Sequence, residues 1–239
     1  MHNIFKSYHV FFVLLFLINP LSFAEMELPR IEHAEAWIRS AEKAETAERK
    51  LHCLEGALEI YGFRNVNVAD FDWQKIVYQV EELHKLDNSL KIRQSVLSHF
   101  AFQESDEALK LLERCVTSDL ISYVEDDFPM LQALYETIEK ELQNHNDIYV
   151  GKAVGLVIKA ITKGARSSAF TSSSDPMAEN EIMRITLRIG NEELLKVLIE
   201  SKIVSINVLK SAEIQQKLTK CKNQQMVQYC HELLRTLDM

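Results

Sequence analysis

The chain has 239 residues, 47% hydrophobic and 26% charged, with a formal net charge of −8 and only six Gly. Average usage would supply about 17 Gly. The six present form neither G-x-G-x-x-G nor G-x-x-x-x-G-K-[ST], which excludes the glycine-rich loops that cradle nucleotide phosphates.

In chain order, residues 1–24 come first. Lys6 is their only formal side-chain charge, Val10–Ile18 is unbroken apolar chain, and Asn19-Pro20 ends the run before Ser22-Phe23-Ala24. A weakly positive start, a short apolar stretch and a small-x-small exit predict a secretory signal peptide cut near Ala24. The expected location is then the periplasm or the extracellular space. The run is short for a bilayer span, which takes about 20 residues.

Helical periodicity dominates the rest. Trp73, Ile76, Val77, Val80 and Leu83 follow one face of a helix, as do Leu131, Leu134, Tyr135, Ile138 and Leu142, and then Met226, Val227, Cys230, Leu233, Leu234 and Leu237. Asp70, Ser105 and Asp175-Pro176 are start signals, and Gly62 and Gly190 are stop signals. The pattern predicts helices over 30–44, 46–61, 71–86, 89–102, 106–117, 119–126, 129–144, 148–163, 177–189, 192–202, 208–220 and 224–237. Alternating β patterns are nearly absent. The expected fold is all-α, antiparallel helical hairpins forming a bundle or a short α-solenoid. The Ser/Thr-rich stretch 164–174 reads as a linker between an acidic N-terminal domain, 25–163, and a C-terminal helical-hairpin module, 175–239. Cys53, Cys115 and Cys230 sit among apolar residues, where free thiols behave as small core hydrophobes.

Charge follows the same map. Residues 25–147 carry 26 acids and 13 bases, whereas 148–174 carry four bases and no acid. An acidic body argues against nucleic acid as a partner, since phosphate neutralisation needs clustered Lys and Arg. Lys152, Lys159, Lys163 and Arg166 are spaced i, i+7, i+11, i+14 and form one basic stripe along a helix whose other faces are apolar. Three readings stay open: a core helix with its polar face solvated or paired to the acidic body, a contact for an acidic protein partner, and an interfacial helix on anionic lipid. Gly151-x-x-x-Gly155 adds a smooth patch to it.

The segment Arg188-Ile189-Gly190-Asn191-Glu192-Glu193-Leu194-Leu195-Lys196-Val197-Leu198-Ile199 resembles the middle of an ankyrin repeat. In that family a first helix ends at Gly-Asn and a second carries apolar residues at the positions held here by Leu195, Leu198 and Ile199. The resemblance covers about residues 178–207. It departs at the Thr-Pro-Leu-His opening, replaced by Glu181-Ile182-Met183-Arg184, and at Lys202, which stands where the turn Gly belongs. It implies protein binding rather than catalysis.

Local chemistry is sparse. Glu81-x-x-His84 is a metal-like spacing on one helical face, but di-iron bundles need it twice with two further Glu. Cys230-His231 and Cys221 lack a second pair at zinc spacing, and no Gly-x-Ser-x-Gly elbow is present. Glu125-Asp126-Asp127 reads as a helix-start turn. No cofactor, metal or catalytic residue is therefore assigned. The expected function is an exported, non-enzymatic helical module that binds a protein. The alternatives are a small hydrolase with a site built from distant residues, and a peripheral membrane protein using 148–166.

Overall fold

A computed structural model describes residues 23–63, 66–123, 129–165 and 176–237. Residues 1–22 of the 1–24 signal-peptide reading, the Glu125-Asp126-Asp127 turn, Arg166 and most of the 164–174 stretch lie outside the described residues. Eleven α-helices are described: α1 (Phe23–Glu42), α2 (Ala47–Gly62), α3 (Trp73–Leu86), α4 (Gln94–Ala101), α5 (Asp106–Thr117), α6 (Pro129–Gln143), α7 (Asp147–Thr162), α8 (Pro176–Ile189), α9 (Glu192–Glu200), α10 (Ala212–Leu218) and α11 (Gln224–Leu237). Short 3-10 turns occupy Val68–Asp70 and Ile206–Lys210. The protein is all-α.

After α1, which packs along α2, the helices alternate between two rows. In the first row α2, α4, α6, α8 and α10 each pack on the next, and in the second row α3, α5, α7, α9 and α11 do the same. The helices α2 and α3, α4 and α5, α6 and α7, and α8 and α9 pair across the rows, so the chain builds a two-row stack. Its buried side chains form one core from Ala34 to Cys230. Across the expected 164–174 boundary, α8 rests on α6 and α9 on α7.

The stack repeats because its helix ends repeat. Every second-row helix opens on a short polar side chain that accepts a hydrogen bond from the backbone N–H three residues on. The pairs are Asp72 with Lys75 (3.2 Å), Ser105 with Ala108 (3.1 Å), Asn146 with Tyr149 (3.3 Å), Asn191 with Leu194 (2.8 Å) and Asn223 with Met226 (3.1 Å). Each satisfies a donor that the first turn leaves orphaned. The far ends of α5, α7 and α9 also close alike. Asp119, Gly164 and Lys202 take left-handed backbone, with φ of 57°, 106° and 57°. The next residue is a buried Leu120, Ala165 or Ile203, whose N–H returns to the carbonyl of Cys115 (3.0 Å), Ala160 (2.9 Å) or Leu198 (3.0 Å). This is the Schellman closure, with its apolar residue just past the turn.

Three helix expectations need correction. The predicted helix 119–126 does not form over its described part. Leu120 and Ile121 are extended, with Ile92 N–H donating to Leu120 O (2.6 Å) and Ser122 N–H to Ile92 O (2.8 Å) around a parallel bridge between Ile92 and Ile121. The same bridge holds residues 90–92 out of α4, which starts at Gln94 rather than near 89. The predicted helix 208–220 divides at Ser211, whose extended backbone and side chain cap α10 instead of continuing the preceding turn.

Candidate binding face

The structure gives each described lysine of the basic stripe an acidic partner on α5 or in the turn that closes it. Lys152 pairs with Asp106 (2.5 Å), Lys159 with Glu113 (2.5 Å) and Lys163 with Asp119 (2.6 Å), and Lys163 also donates to Thr117 O (3.2 Å). Residue numbers rise together on both sides, so α5 and α7 run parallel. The side chains of the first two pairs are about half exposed, and such pairs contribute about 0–1 kcal/mol each. Their chief effect is on the field: three ammonium groups face three carboxylates.

These pairs belong to a wider pattern. Glu55 pairs with Arg93, Glu81 with Arg114, Glu104 with Lys140 and Glu139 with Arg184. In all seven pairs the acid lies on the earlier hairpin and the base on the later one or the segment leading into it. The excess of acid in the first half and of base after residue 147 follows partly from this order.

On the second-row helix α3, Glu81 is largely buried, its side chain 11% exposed. Arg114 Nε donates to its Oε1 at 2.7 Å and Nη2 to Oε2 at 3.0 Å, while Ser118 Oγ donates to Oε1 at 2.8 Å. Burial raises the Glu81 pKa, but the hydrogen bonds from Arg114 and Ser118 and the Arg114 charge outweigh it and hold it below the usual carboxylate range. His84, three residues on, turns elsewhere, its Nδ1 lying 3.2 Å from Leu90 O. The Glu81-x-x-His84 spacing therefore has each member engaged with a different part of the chain.

Beside Glu81 is a cleft of about 420 Å³ lined by Trp73, Gln74, Val77, Tyr78, Glu81 and Arg114. Trp73 and Val77 are buried, and Tyr78 is 59% exposed. The sequence pattern places Trp73 and Val77 on the core stripe of α3, which hides their second role at the cleft. Tyr78 stands off that stripe, and an aromatic on the polar side of an amphipathic helix is the signal that could have found the site.

Among the described residues the exposed large hydrophobics are Phe63, Tyr78, Leu86 and Ile148, and three of these belong to the second-row helices α3 and α7. On α7, Gly151 and Gly155 have no atom within 4 Å of where a Cβ would stand. All four cysteines are free and buried. Burial pushes the Cys115 and Cys230 thiols up to about 12, so neither is a thiolate nucleophile near neutral pH. No helix of the described residues is long and apolar enough to cross a membrane. Comparison with family models, with curated proteins and with solved structures finds no match to this chain.

Proposed function

We propose that this chain is an exported, non-enzymatic helical-repeat module whose second helix row binds a protein partner. The observation that carries the reading is the surface of that row. Tyr78, Leu86 and Ile148 expose large apolar side chains on its helices, while Lys152, Lys159 and Lys163 are paired within the chain with Asp106, Glu113 and Asp119. Apolar side chains among self-neutralised charges lose little on desolvation, which suits a protein interface. The ankyrin-like segment 188–201 supports the same role, since repeats of that kind act by binding. The grounds for export are the features of residues 1–24.

The test is affinity capture from envelope and extracellular extracts with immobilised chain 25–239. A Tyr78→Asp/Ile148→Asp double variant should lose the captured protein. A first-row control, Gln132→Arg/Glu136→Arg, should retain it, with both variants melting close to the parent. Equal capture by all three would sink the proposal. Sequencing the secreted or periplasmic protein from its N-terminus should read Glu25 first.

A further inference from the structure

The α3 cleft has properties that specify what enters it. It is a half-open cleft of about 420 Å³, room for a compact group. The charges in its lining cancel, because Glu81 is paired with Arg114. An ionic group therefore gains no net attraction there and would pay desolvation. What the cleft offers is the exposed ring of Tyr78, the small exposed edge of Trp73 over a floor that buries Val77, and a guanidinium whose Nε and Nη2 are both held by one carboxylate. A guanidinium fixed in this way presents a flat cationic face, the partner that a π-system prefers. Trp and Tyr rings add edge and offset-stacked contacts that an aliphatic chain cannot return.

We infer that the cleft lined by Trp73, Val77, Tyr78 and Arg114 receives an aromatic side chain of the protein partner, the anchor of the interface. The inference rests on the reading of the second row as the binding face. It adds the chemistry of the partner and the place of its main contact.

The test uses the ¹⁵N-labelled chain 25–239 with N-acetyl-tryptophanamide, N-acetyl-leucinamide and N-acetyl-aspartate amide as probes. The chain has two Trp: Trp73 lines the cleft, while Trp37 packs on α2 at Gly56, away from it. N-acetyl-tryptophanamide should shift the Trp73 indole N–H saturably and leave that of Trp37 in place. The leucine and aspartate probes should bind about tenfold more weakly or not at all. Tyr78→Ala, a change at an exposed position, should weaken the tryptophan probe by about the same factor without lowering the melting temperature. An unmoved Trp73 signal at millimolar probe overturns the inference, as does an equal shift with the leucine or aspartate probe. Should the Tyr78→Asp/Ile148→Asp variant lose capture while Trp73 stays unmoved, the aromatic anchor falls and the second-row face stands.

Discussion

Trp37 lies against α2 where position 56 has no side chain: a Cβ there would stand 2.8 Å from its Cδ2 and 3.0 Å from its Cε2. The indole is rigid and also meets the His52 ring edge-on at 5.8 Å, so it can yield only by tilting away from α2. Gly56→Ala should therefore destabilise by about 1–2 kcal/mol, because overpacking outweighs the ~0.5–1 kcal/mol gained in helix propensity. Gly151→Ala, on an open helix surface, keeps only the gain and should stabilise by about that amount. Urea denaturation of the two variants would show opposite displacements of the midpoint. Lys202 is a third case. Its backbone is left-handed at φ 57°, which costs a side-chain-bearing residue about 1–2 kcal/mol. Lys202→Gly should raise stability by about 0.5–1 kcal/mol after the entropy of Gly is set against it. Asp119 shares that φ but holds Lys163, so the same change there should give a smaller gain. Glu81 supplies the pH dependence at this scale. Its folded pKa is depressed, so its contribution is complete above the ordinary carboxylate pKa of about 4.3 and is lost as pH falls through the lower folded value. Stability measured from pH 6 down to pH 3 should fall more steeply in the parent than in Glu81→Gln, and parallel curves would count against this role.

At the scale of helices, composition and periodicity carried most of the fold, because caps and apolar stripes are local. Ser105 and the Trp73–Leu83 stripe could be read directly, and the helices they define are present. The failures came where tertiary pairing overrode a local pattern. Leu120 and Ile121 continue the apolar spacing of a helix, yet they are the apolar close of one helix and half of a bridge to Ile92. The partners of Lys152, Lys159 and Lys163 were illegible for a related reason: the facing acids lie 46, 46 and 44 residues earlier, and spacing within one helix says nothing about which helix lies beside it. The rung between α5 and α7 predicts a double-mutant cycle. Lys159→Glu brings two carboxylates together and should destabilise, whereas Lys159→Glu/Glu113→Lys restores the opposition of charge. A coupling of about 0.2–1 kcal/mol is expected for a half-exposed pair, shrinking as salt is raised.

For the whole molecule, the consequence of the two-row stack is that stability depends on position along it. Each hairpin is supported by its neighbours, so α4–α7 are packed within their rows from both sides, whereas α11 packs on α9 and the 3-10 turn Ile206–Lys210. The inner face of α11 buries Met226 and Cys230, while Gln228, His231, Glu232 and Arg235 line a surface groove together with half-buried Val227 and Leu234. Opening of α11 exposes only its own contacts, while opening of α5 requires α3 or α7 to give way and breaks the pairs to Arg114, Lys152 and Lys159 as well. Hydrogen exchange should therefore be graded: slowest for buried amides of α5 and α7, intermediate in α8 and α9, and fastest in α10 and α11. Met226→Ala should speed exchange in α11 and the adjoining turn strongly, in α9 by less, and in α3 to α5 hardly at all. A uniform acceleration across all helices would show instead that the stack opens as one cooperative unit, and that α11 is as essential to the fold as the centre.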